Sequence, residues 1–173
     1  MLNHPVPDEH LTAIGDVTVS FALLESQFQG VAHHLLAEPQ RISQILTVEL
    51  SFKNLRALVA SLCIERFGKE SEWYRDLRPL LVKANKLEGI RNGITHSIWA
   101  CGPKLDPVNR TVTRVKATAK EAHGFKFSYE HVTAEQIREV AREIKRLAHD
   151  VSDLQWRLAA VPIEIQLRYP ADN

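Results

Sequence analysis

At 173 residues, 45% of them hydrophobic and 25% charged, the chain has enough apolar side chains for one domain with a substantial core and is short for two. A formal charge of +1 sets up no global field that would draw it to a polyanion, so any contact with nucleic acid has to come from a local cluster of cations. Cys63 and Cys101 are too few for a disulfide framework, and they lack the paired spacing of a zinc or redox site. Both are read as reduced thiols, with Cys63 in the core. The start, MLNHPVPDEH, has neither the basic flank nor the apolar centre of a secretory signal, and no later run reaches the length of a membrane span. A soluble, cytoplasmic protein is expected, with no membrane contact.

From Asp8 to Ala37, Ile14, Val17, Phe21, Leu24, Phe28, Val31 and Leu35 recur at steps of three and four, which predicts one long amphipathic helix. Glu25 stands directly beside that stripe. AEPQR interrupts the helix, because the residue before a proline is pushed out of the helical region, and a short helix is expected around Arg41 to Thr47. Phe52, Leu55, Leu58, Val59, Leu62 and Phe67 form the next apolar stripe, with Ser51 as N-cap and Gly68 as the stop. Trp73, Leu77, Leu80, Ala84, Leu87 and Ile94 continue at helical spacing, with Pro79 either kinking this helix or starting a fresh one.

After His96 the period changes to two. SIWAC, TVTRVKA and FKFSY read as two or three short strands joined by the turn-rich GPKLDPVN and KEAHG. Thr133 with Gln136 forms a capping-box pattern that opens the last helix. Ile137, Val140, Ile144, Leu147, Val151, Leu154 and Leu158 run down one face of it, and Pro162 closes it. A single domain over 1–173 is expected: helices over 8–96, a β-insert over 97–131, the last helix over 133–160 and a tail over 161–173. The fold class is mainly α, an antiparallel four-helix bundle with a small β-hairpin or meander inserted before the last helix.

The segment LEGIRNGITHSIW carries the chemistry. Stepping on from Leu87 lands on Arg91, at or beside the buried stripe, where a guanidinium needs a partner. Arginine offers a planar fork of donors that matches a phosphate, and histidine moves protons near neutral pH. In RNA the 2′-hydroxyl attacks the neighbouring phosphorus if a base takes its proton, an acid protonates the leaving oxygen and a cation steadies the phosphorane; no metal is required. On an unbroken helix Asn92 and His96 share a face, whereas Arg91 and His96 stand about 140° apart. One His and one Arg lack either the acid or the base. A symmetric homodimer pools two of each in one cleft.

RNGITH at 91–96, with FALLE in the first helix and HSIW after the motif, resembles the HEPN superfamily, whose signature is an Arg, a polar residue after it and a His that follows the Arg after four to six intervening residues. The resemblance in architecture covers roughly residues 8–160. It implies a dimeric, metal-independent endoribonuclease of the kind found in toxin, antiphage or RNA-processing systems, with RNA as substrate and an antitoxin or other regulatory protein as a further partner. It gives Arg91 as phosphate and transition-state stabiliser, His96 as general acid or base and Asn92 as an orienting group. Glu25 either holds Arg91, fixes the tautomer of the histidine, or flanks the stripe in solvent. No cofactor and no metal is implied. Other members of the superfamily are silent and serve as dimerisation modules or bind a partner or nucleotide. That is the alternative reading.

The bare spacing also matches Arg142 and His149, inside a mixed-charge helix and followed by Glu143, a poor setting for phosphate. His33 and His34 are adjacent and point in different directions, so they do not clamp one metal. His123 and His131 have no assigned role. Trp73, Trp99 and Trp156 are expected in core or interface packing. There is no glycine-rich phosphate loop, no serine nucleophile elbow and no carboxylate-rich metal motif.

Overall fold

The computed structural model describes residues 6–100, 111–120 and 124–161. The connector GPKLDPVN, Cys101, His123, Pro162 and the tail lie outside the described residues. The chain is mainly helical, with a small antiparallel sheet. In chain order the elements are α1 (Asp8–Leu36), α2 (Gln40–Thr47), α3 (Phe52–Phe67), α4 (Glu72–Thr95), β1 (Ile98–Ala100), β2 (Thr111–Lys120), β3 (Gly124–Thr133) and α5 (Ala134–Ala159).

The helix ends follow local chemistry. Ser51 caps α3 by accepting from the Asn54 N–H, and Gly68 ends it at φ 86°, a conformation without cost only for glycine. Ser71 accepts from the Tyr74 N–H and opens α4 in the same way. α4 runs unbroken through Pro79, so no fresh helix starts there. The ring removes the N–H that would bond to the Arg75 carbonyl, and both residues are exposed, where water can serve that carbonyl instead.

The capping box at α5 is complete. The Thr133 N–H donates to Gln136 Oε1 at 2.8 Å, and the Gln136 N–H donates to Thr133 Oγ1 at 3.1 Å. Thr133→Ala is expected to lower stability by about 1 kcal/mol in a urea titration. An unchanged midpoint would mean that the strand leading into α5 fixes its start without the cap.

By contacts the chain divides into two compact units: one formed by residues 1–21 and 87–144, the other by 22–86 and 145–173. The first holds the start of α1, the end of α4, the sheet and the start of α5. Its strands form a meander in the order β1-β2-β3, with Trp99 opposite Arg114 and Arg114 opposite Glu130. Val112 and Val132, opposite each other, are buried, as are Val17, Phe21, Leu87, Ile94, Ile137 and Ile144. His10, fully buried, lies with Nε2 3.1 Å from the Val132 carbonyl and so ties the first turn of α1 to β3.

The second unit holds the rest of α1 with α2, α3, most of α4 and the end of α5. Phe28 is fully buried and meets Phe52 edge to face, centroids 5.4 Å apart at 80°. Leu55, Val59, Cys63, Leu77, Val151 and Leu154 are buried in the same unit. Burial pushes the Cys63 thiol up to about 11, which leaves it a core residue rather than a nucleophile.

Two positions on α5 differ from the sequence expectation. On α5, Val140 is only half-buried while Ala141 and Ala148 are buried, because small side chains let a neighbouring element approach closely. Of the tryptophans, Trp156 is 73% exposed, so of the two roles expected it does not take the core one. Trp73 is half-buried, 5.4 Å from the Phe67 ring and 5.4 Å beneath the Arg157 guanidinium.

Candidate functional site

α4 delivers the motif at its C-terminal end. Arg91 and Asn92 are half-buried in the last turns, and His96, the first residue beyond the helix, is exposed. The His96 N–H still donates to the Asn92 carbonyl at 3.1 Å, so the helical angle persists through the motif. Asn92 and His96 therefore share a face, and Arg91 stands about 140° round from His96.

The Arg91 guanidinium carbon lies 4.1 Å from the centroid of the Phe21 ring, which is itself buried. The negative face of that ring attracts the cation, and in a partly desolvated setting such a contact contributes about 1–2 kcal/mol. It also fixes the plane of the fork. An arginine whose base is seated on a rigid ring gives up little further entropy when it meets a phosphate.

Several carbonyls near the end of α4 accept from side chains. Thr95 Oγ1 donates to the Arg91 carbonyl at 3.0 Å, Ser97 Oγ donates to the Gly93 carbonyl, and the Trp99 indole donates to the Ile94 carbonyl at 2.8 Å. A helix C-terminus is normally a negative end lined with free carbonyls, hostile to an anion. Here the Ser97 hydroxyl and the Trp99 indole N–H take up the Gly93 and Ile94 carbonyls, and Trp99 gains its place at the helix end rather than on a base.

The structure adds a residue that the sequence reading missed. Arg114, on β2, reaches the motif: a Cβ built on Gly93 would lie 3.6 Å from its Nη1. An ion pair with Glu130, its cross-strand partner, holds the guanidinium there. Two arginines, Arg91 from the helix and Arg114 from the sheet, thus belong to the same helix end. Glu25 is half-buried on α1 and belongs to the other unit.

Arg142 is held by Glu135 at 2.6 Å and by Glu139 at 2.6 Å, and His149 sits 3.2 Å from Asp153. Hydrogen bonds from Arg142, then from Arg138, keep the Glu135 carboxyl below its usual range, and those to Glu135 and Glu139 raise Arg142. A guanidinium committed to two carboxylates is not offered to phosphate. The second match to the spacing is therefore a surface ion-pair network.

His33 and His34 have ring centroids 5.2 Å apart, and no group of three metal-ligating side chains occurs among the described residues. Burial, with the neighbouring His33, lowers the His34 pKa below its ordinary 6.5. The unfolded chain then binds that proton more readily than the folded one, so stability drops as the pH falls through 6.5. Denaturation midpoints of wild type and His34→Gln between pH 7.5 and 5.5 are expected to differ in slope, the wild type losing more. Parallel slopes would remove His34 as a source of acid sensitivity.

The second unit contains two depressions of different character. One, about 390 Å³, is lined by Gln27, Gln29, Gln40, Gln44, Gln155 and other uncharged polar side chains together with Trp156, and it holds no formal cation or anion besides what His33 provides. Gly30 makes room for the Gln155 amide there, since a Cβ at that position would come within 2.5 Å of it. The other is an open groove beside α4, bordered by basic residues. No helix of the described residues is long and apolar enough to cross a membrane. Compared with protein-family models, with curated proteins and with solved structures, the chain matches none.

Proposed function

We propose that this protein is a metal-independent endoribonuclease of the HEPN kind, acting as a homodimer in which two copies of RNGITH face one cleft. The observation that carries the reading is the pairing of roles at one helix end: Arg91 is half-buried and seated on the Phe21 ring, while His96 is exposed one residue past the helix. One group is held still, as a charge stabiliser should be. The other is open to solvent, as a proton carrier should be.

In the proposed reaction neutral His96 takes the proton of the 2′-hydroxyl, and the freed oxygen attacks the adjacent phosphorus. The P–O5′ bond breaks as the protonated imidazole of the partner's His96 donates to the leaving oxygen. Arg91, backed by Arg114, balances the charge of the phosphorane. The products are a 2′,3′-cyclic phosphate and a 5′-hydroxyl; the first histidine ends protonated and the partner's His96 neutral, so the two exchange roles until solvent returns each proton. Asn92, on the face of His96, orients the imidazole or the phosphate. Glu25 enters only as a positioning carboxylate. The antiparallel arrangement of the four long helices, an effector role in toxin or defence systems and control by an antitoxin or regulatory protein belong to the same proposal.

A second reading is favoured by the same cation–π contact, since an arginine over a buried ring also stabilises a fold that does no chemistry. On that reading the chain is a silent module that dimerises or binds a partner or nucleotide. Chimeric oligonucleotides separate the two: with one ribonucleotide in a DNA strand, cleavage in EDTA should fall only after the ribonucleotide and leave a cyclic phosphate. Cleavage of the all-DNA strand at the same rate would exclude 2′-hydroxyl attack.

A further inference from the structure

The near-neutral chain conceals a strong local field. The groove beside α4, about 1050 Å³, is bordered by Lys69, Arg75, Arg78, Lys83 and Lys86 against a single carboxylate, Glu70. That local excess exceeds the +1 of the whole chain. Lys83 is shared with Asp150 at 3.7 Å. Among the described residues none of Lys69, Arg75, Arg78 and Lys86 has an ion-pair partner.

Sequence spacing explains the alignment. Positions 75, 78, 82 and 86 follow steps of three and four and form one exposed face of α4, with Val82 65% exposed between the cations. From Arg75 to Lys86 the helix rises about 16 Å, enough for two or three successive phosphates of an extended strand. The half-buried Tyr74, in the same groove, offers a ring on which a base can stack.

We infer that this groove holds single-stranded RNA by its phosphates and so supplies the local charge that an RNA-cleaving protein of neutral overall charge requires. The inference rests on the ribonuclease reading for the choice of polyanion. An acidic protein partner would need a buried apolar anchor at the centre of its interface, and of the groove's apolar side chains Val82 and Pro79 are exposed and Tyr74 is only half-buried. A membrane surface would need a broad apolar face next to the cations, which α4 lacks here. The glutamine-lined cavity has no lysine or arginine to attract phosphate.

The test uses the full chain and an unstructured 2′-O-methyl RNA, which cannot be cleaved by 2′-hydroxyl attack, so that binding is read apart from chemistry. Fluorescence anisotropy from 50 to 200 mM salt is compared for wild type, Arg75→Gln/Arg78→Gln and Lys86→Gln, with unfolding midpoints measured for each. Each neutralised cation should reduce the slope of log K against log salt by about 0.7, and the double variant should bind several-fold to tenfold more weakly at low salt. Anionic vesicles and polyglutamate serve as competitors. Equal affinity and slope in a folded double variant, or preference for either competitor over RNA, overturns the groove assignment. Binding lost in the double variant while no form cleaves RNA keeps the groove and overturns the ribonuclease. Cleavage with binding indifferent to these residues does the reverse.

Discussion

His96→Ala is expected to slow RNA cleavage by about 10²- to 10⁴-fold, the range ascribed to a positioned general acid or base. Its unfolding midpoint should stay close to wild type, because His96 is exposed and only its backbone bonds to α4. Arg91→Ala should behave differently. It removes the charge that steadies the phosphorane, about 10²- to 10³-fold by analogy with loss of one oxyanion donor. It also removes the contact with Phe21, so a stability loss of about 1–2 kcal/mol accompanies it. Arg91→Lys should recover part of the stability and little of the rate, since an ammonium lacks the planar fork. Steady-state cleavage with parallel urea titrations reads both quantities. A His96→Ala protein that lost stability but kept its rate would make the histidine structural.

Phe28→Ala is expected to cost about 3–5 kcal/mol, the largest stability effect of any substitution discussed. The ring is fully buried, meets Phe52 edge to face and stands in the unit that also holds Leu55 and Val59. Phe127→Ala is the natural control: that side chain is 52% exposed on β3, and its loss should move stability by no more than about 0.5 kcal/mol. Similar losses for both would mean that the exposed side of β3 is covered in solution by another surface. Chemical denaturation over a range of protein concentrations would reveal that covering as a concentration-dependent midpoint.

Much of the fold was legible because its signals are local. The α1 stripe from Val17 to Leu35, the Ser51 and Gly68 boundaries of α3 and the Thr133–Gln136 box each depend on residues within a few positions of one another. The change to period two after His96 placed the strands, and the meander follows. What was not legible depends on contacts distant in sequence. Arg114 sits in a plain alternating strand; its approach to Gly93 follows from the register that sets it opposite both Trp99 and Glu130. The seat of Arg91 on Phe21 joins residues 70 positions apart, and the stripe showed only that the guanidinium would emerge near the core. The role of Trp99 as a cap for the Ile94 carbonyl was hidden for a related reason, because it requires the chain to turn back on the helix end. The basic groove escaped notice because its cations are interspersed with acids along the sequence and are separated from them only by the helical period.

The measurement that bears most directly on the central claim is cleavage of a mixed, end-labelled RNA by wild type in excess EDTA, with Arg91→Ala and His96→Ala alongside and the folding of each verified. Cleavage by wild type with 2′,3′-cyclic phosphate ends, lost in both variants, is the expected result. Equal cleavage by all three proteins, or none by well-folded dimeric wild type across varied RNAs, would contradict the assignment of ribonuclease chemistry to this helix end.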